Sequence, residues 1–178
     1  MPDLTDLLAE YDRALGHTEA LWSDLTPEEV RWRPHPESSA IGWHLGHQAA
    51  VAHFMVRNLT AAEPSPDPPL DGLFDSATPE PERGELPEVE RLGRYRKAVA
   101  ERVRFRIGAI ERGDVGAPAQ LSVVAALLVT ALVNHEYQHS VWIGEVRRDQ
   151  LGHDLPAPPA SPLLTTIDGY TVLRPPLG

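Results

Sequence analysis

Four long stretches of this chain repeat their apolar residues at helical spacing, and the prolines fall between them or at their starts. In the first, Leu4, Leu7, Leu8, Tyr11, Leu15, Thr18 and Trp22 recur at three- and four-residue steps, with Asp3 placed to cap the N-terminus. Thr26-Pro27-Glu28-Glu29 is a capping box with proline at the first helical position, and it predicts one short turn. Arg33-Pro34-His35-Pro36 then breaks the helix, because each proline lacks a donor and restricts the residue before it. A second helix is expected from Ser39 to about Ala61, capped by Ser38 or Ser39, with Ile41, Leu45, Ala49, Ala52 and Val56 as its apolar stripe.

The segment 63–85, "EPSPDPPLDGLFDSATPEPERGE", is rich in proline and acid and predicts a long loop of the kind that borders functional sites. A third helix is expected over Pro87–Arg112, with Val89, Leu92, Val99, Val103, Ile107 and Ile110 inward and its arginines in water. "GDVGAP" is a turn, and a fourth helix runs from near Pro118 to about Gln150. From Gly152 the chain is proline-rich, with "TTIDGYTVL" as a candidate strand. Helices of this number and length predict an all-α four-helix bundle over residues 1–150. An extended tail over residues 151–178 would pack on the bundle or on a partner subunit.

Charge and composition exclude several functions. A net charge of −10 and a pI near 5.2 argue against a nucleic-acid partner, because an acidic surface repels phosphates. Without cysteine there is no disulfide, thiolate ligand or cysteine nucleophile. The start, "MPDLTDLLAEYDRAL", lacks a basic region followed by an apolar run, so no signal peptide is expected. The most apolar run, "LSVVAALLVTALV", is too short to span a bilayer. The expected location is the cytoplasm, with no membrane partner.

The histidines carry the chemistry. "NHEYQH" contains His135-Glu136-x-x-His139, and a four-residue step puts both imidazoles on one helix face. That face also carries Leu128, Leu132, Trp142 and Val146, so it looks inward. Two buried imidazoles need partners for their donors and acceptors. Either neighbouring side chains or a metal can supply them. In "SAIGWHLGHQ", His44 and His47 share a face of the second helix, and one of them can complete a three-histidine site. His53 is rotated well away from His47, and His17, His35 and His153 stand alone as surface or loop histidines. Three neutral nitrogens suit zinc first, with nickel, iron, cobalt and manganese also accepted.

H-E-x-x-H is also the zinc signature of metalloproteases, but its usual context is missing. The metzincin glycine and histidine positions hold Trp142 and Glu145, and no glutamate follows Glu145. An H-E-x-x-H zinc protease therefore stays a remote alternative. The Glu136-x-x-His139 pattern of di-iron bundles lacks its required second copy.

These segments carry a family resemblance. "LTPEEVRWRPHPESSAIGWHLGH" and "HEYQH" are similar to the DinB/YfiT-like superfamily of metal-binding four-helix bundles, over residues 4 to 150. "WHLGHQ" and "HEYQH" also resemble the DinB domain of ergothioneine-pathway sulfoxide synthases. The large second domain of those enzymes is not in this sequence, so their oxygen chemistry is not expected. The resemblance implies that His47, His135 and His139 are the metal ligands and that His44 is not. It implies a mononuclear metalloprotein acting as a thiol transferase with a low-molecular-weight thiol, such as mycothiol, bacillithiol or glutathione, and a small electrophile. The alternative is a non-enzymatic metal-binding stress or sensor protein. His44, Glu136 and Tyr137 are candidates for contacts behind the ligands or to substrate, and no residue is singled out as catalytic acid, base or nucleophile. Arg94, Arg102 and Arg106 form either a cofactor-holding face or a solvated one. The resemblance also suggests a homodimer.

Overall fold

The computed structural model describes residues 3–60, 62–79 and 82–174. Among these, the helices in chain order are α1 (Leu4–Trp22), α2 (Pro27–Arg31), α3 (Ile41–Val56), α4 (Pro68–Leu73), α5 (Val89–Glu111) and α6 (Pro118–Glu145). A π-helical turn over Val146–Gln150 continues α6, and strands β1 (Leu164–Ile167) and β2 (Tyr170–Leu173) close the described chain. The long helices α1, α3, α5 and α6 form the bundle, with α1 against α6, α3 against α5, and α6 also touching α3 and α5.

Local sequence explains most of the ends. The Asp3 carboxylate accepts from the Asp6 amide at 2.8 Å, and the Thr26/Glu29 capping box closes in both directions. Leu7, Ala14 and Leu21 of α1 meet Val99, Val103 and Ile107 of α5 and Val129, Val133 and Ile143 of α6 in one core.

The second long helix differs from expectation at both ends. It starts at Ile41 with Ala40 as its cap residue, because the Ser39 hydroxyl accepts from Arg83 at 3.0 Å instead. It ends at Val56, where the chain turns because Thr60, Glu63 and Pro64 are all held by arginines of α5. The expected end at Ala61 lies outside the described residues, as do residues 175–178 of the tail. The loop after it contains α4, whose two prolines occupy the first turn, where a missing N–H costs nothing.

The α5 arginines do not all face water. Arg96 and Arg106 are buried, and Arg102 and Arg106 both engage Glu63, which ties the acidic loop to α5. Arg102 also meets His53, which is buried away from the other histidines. Arg94 stays exposed.

The single candidate strand is a hairpin. Asp168 and Gly169 take φ of 51° and 87°, the positive values that a two-residue turn between paired strands needs. The tail packs along α1 and α6: Arg147 pairs with Asp24 at 2.6 Å and donates to the Asp154 carbonyl, Ser161 donates to Glu10, and the Leu173 amide donates to Asn134. His153 pairs with Glu29 at 2.7 Å, while His35 is exposed and accepts from the Glu37 amide.

With its π-helical turn, the last long helix covers Pro118–Gln150, 33 residues, and by length and composition alone it could cross a membrane. The apolar run is short, but the helix continues past it. Its buried side carries Glu136, His139 and Ser140, which belong in a polar network inside a bundle.

Candidate metal centre

α3 and α6 cross where each presents histidines on its inner side. His44 and His47 come from α3, and His135 and His139 from α6. One ligand nitrogen from each of His47, His135 and His139 lies within 4.8 Å of the others, close enough for all three to hold one ion. The rings of His135 and His139 are 4.5 Å apart, and His47 stands 5.2 and 5.0 Å from them.

Hydrogen bonds orient two of these rings. His47 Nδ1 donates to the Phe74 carbonyl at 2.8 Å, which fixes the tautomer and leaves Nε2 with its lone pair free. His139 Nδ1 bonds His44 Nδ1 at 2.9 Å, again leaving Nε2. His44 therefore sits behind His139 rather than in the trio. Aromatic rings wall the cluster: Trp43 stacks on His47 at 4.7 Å and 10°, and Trp142 meets His139 edge-on at 4.8 Å.

Phe74 reaches α3 because of a glycine. Its ring is fully buried against Gly46, where a Cβ would stand 2.1 Å from the ring tip. The proline-rich loop thus borders the site, as its length suggests, and supplies one of the bonds that aim a histidine.

All four imidazoles are kept neutral. Burial first, then neighbouring imidazoles, lowers His44 to about 3, His135 to about 4 and His139 to about 2. His47 is lowered by burial, with the Phe74 bond acting the other way. Neutral imidazole is the ligand form, so protons compete for these nitrogens only in acid. The donor set, its spacing and its protonation state all fit a divalent metal.

Glu136 and Tyr137 lie elsewhere. The Glu136 carboxylate accepts from Arg96 at 2.8 Å, both groups being buried. Arg96 also donates to the Leu45 carbonyl at 2.7 Å and to Gln48 Oε1 at 3.0 Å, while Gln48 donates to the Glu136 carbonyl. This network ties α5 to both histidine-bearing helices. A zinc protease needs its H-E-x-x-H glutamate at the metal as a base, and here that carboxylate is engaged by an arginine. Tyr137 packs toward His17 on α1, with ring centroids 6.1 Å apart. His17, expected at the surface, is half-buried beneath the tail.

Three cavities adjoin the cluster. One of about 350 Å³ is lined by His47, Phe54, Arg57, Asp71, Phe74 and Asp75. A second, also about 350 Å³, lies beside His44 and Trp142 and includes Glu145 and Asp149. A third of about 360 Å³ has Arg31, Arg33 and Arg83 around Trp43, with Glu85 also in its wall. The Arg83 guanidinium lies 3.7 Å over the Trp43 ring, whose other neighbour is His47. The Trp43 indole N–H and Arg31 Nε–H are buried without acceptors among the described residues.

Sequence reasoning missed Trp43, Phe74, Arg83 and Arg96. Only Arg96 left a usable sign: with Leu92, Val99 and Val103 it occupies the inward stripe of α5.

The family model described as the DinB superfamily matches residues 10–143. A search of curated proteins returns no match.

Proposed function

The chain belongs to the DinB superfamily, and from that premise we propose that it is a mononuclear, metal-dependent thiol transferase. His47, His135 and His139 would hold the metal, zinc before nickel, iron, cobalt or manganese. The observation that carries this reading is the three-histidine cluster, with its ligand nitrogens within 4.8 Å, in a chain that has no cysteine. The sulfur must then come from a small thiol.

When bound, a divalent metal lowers the pKa of a thiol that reaches it and so supplies thiolate at neutral pH. The chain's own residues do the rest. Phe74 and His44 hold the His47 and His139 rings in place. Trp43 and Trp142 wall off the cluster. The cavity behind Trp43, where Arg31, Arg33 and Arg83 outnumber Glu85 and two buried N–H groups lack acceptors among the described residues, suits the carboxylate of a thiol cofactor. The cavity beside His47 is open to a small electrophile. In transfer to an alkyl bromide the thiol loses its proton to buffer, the C–S bond forms and bromide leaves.

The test is turnover of monobromobimane by zinc-loaded protein with mycothiol, bacillithiol and glutathione in parallel. One thiol is expected to support turnover, and His139→Ala to lower it by at least about 100-fold, since loss of even an outer partner of a ligand costs 10–100-fold. Tight metal binding without turnover for any thiol would instead support the non-enzymatic metal-binding role.

A further inference from the structure

The 63–85 loop reaches His47 twice. Its Phe74 carbonyl accepts from His47 Nδ1 at 2.8 Å. Farther along, the Arg83 guanidinium lies 3.7 Å over the Trp43 ring, and Trp43 stacks on His47 at 4.7 Å and 10°. Two groups this close to one indole must occupy its two faces. Arg83, Trp43 and His47 therefore form one column, running from the loop to a histidine of the candidate metal centre.

Each layer of the column restrains the next. A single hydrogen bond leaves the His47 ring able to turn about the bond's own axis, and that turn would carry Nε2 away from the nitrogens of His135 and His139. The near-parallel indole removes this freedom by fixing the plane of the ring. Trp43 can do so because it lies four residues before His47, on the same face of α3. Its other face is covered by Arg83, and the side chain is 6% exposed.

Arg83 is itself aimed. Its Nε donates to the Thr78 carbonyl at 2.9 Å and its Nη1 to the Ser39 hydroxyl at 3.0 Å. Both N–H groups lie in the guanidinium plane, which leaves the flat face for the indole. Lysine has no such plane and cannot make both bonds while stacking. Ser39 stands just ahead of α3, so one guanidinium ties the loop to the start of the helix that carries His47. We infer, on the reading of His47, His135 and His139 as metal ligands, that Arg83 is a positioning residue for His47, acting through Trp43. Charge and position work in opposite directions here, because a cation near the ligands repels a metal ion. Arg83→Lys separates the two by keeping the charge and losing the stack.

The experiment uses the full chain and two readouts, zinc affinity by competition with a chromophoric chelator and the visible absorption of the cobalt(II)-loaded protein. Arg83→Lys and Arg83→Met should each weaken zinc binding about threefold to tenfold, the loss of one cation–π contact, and should shift the cobalt bands. Trp43→Leu should weaken binding at least as much, with far-UV circular dichroism confirming the fold. Adding Arg83→Met to Trp43→Leu should then cost nothing further. Wild-type affinity and cobalt spectrum in both Arg83 variants would overturn the inference. So would additive losses in the double variant, which would mean that Arg83 acts by another route. Unchanged binding in Arg83→Lys with tighter binding in Arg83→Met would assign Arg83 a charge effect alone and equally overturn it. Failure of the wild type to bind either metal would instead sink the three-histidine reading, and the role of Arg83 with it.

Discussion

Glu136→Gln is expected to destabilise the fold by about 3–5 kcal/mol, the usual cost of removing one partner from a buried ion pair. The carboxylate and the Arg96 guanidinium are both buried, and their closest approach is 2.8 Å. With glutamine the arginine keeps an acceptor but not a counter-charge, and a guanidinium does not shed its proton to lower the cost of burial. The neutral pair Arg96→Met with Glu136→Leu should recover most of the loss, because neither charge is then stranded. Urea denaturation of the three variants and wild type measures both effects. A Glu136→Gln change below about 1 kcal/mol would mean that the pair is hydrated in solution, as surface pairs are.

Gly46→Ala carries the second large effect, and it reaches the metal centre through one side chain. A methyl at position 46 would stand 2.1 Å from the fully buried Phe74 ring, so the ring or α3 must move. Overpacking of this kind costs about 1–3 kcal/mol. Moving the ring also moves the Phe74 carbonyl that accepts from His47 at 2.8 Å. Disturbing such an outer partner lowers metal affinity by about 10–100-fold. Competition with a chromophoric zinc chelator reads that loss directly. Phe74→Leu should relieve the clash in the double variant and restore part of the affinity. If Gly46→Ala binds metal as tightly as wild type, Phe74 does not aim His47.

The four long helices were legible because burial on one face imposes a 3.6-residue period, and Leu7, Val103 and Val133 obey it. The histidine pairs were legible as same-face residues, but spacing alone left His44 and His47 both open. The distinction lies in tertiary contacts, a Phe74 carbonyl on one ring and a His139 nitrogen behind the other. What stayed hidden depends on partners distant in sequence. Ser39 is an ordinary cap until Arg83 takes its hydroxyl, and Arg96, although it lies on the inward stripe of α5, has no visible partner until Glu136 lies opposite. α4 was obscured because prolines read as breakers even where they start a helix. The hairpin was obscured because Asp168-Gly169 lies inside a run whose composition reads as one strand. His17 looked like a surface residue because the tail that covers it lies far along the chain.

The most direct test of the central claim is metal content by elemental analysis, on protein never exposed to a nickel resin, for wild type and His47→Ala. The account predicts close to one equivalent of divalent metal in the wild type and its loss in the variant, since three protein nitrogens are the minimum for an open site of this kind. Full occupancy retained in His47→Ala would contradict it, by removing α3 from the site and leaving His135 and His139 to some other arrangement.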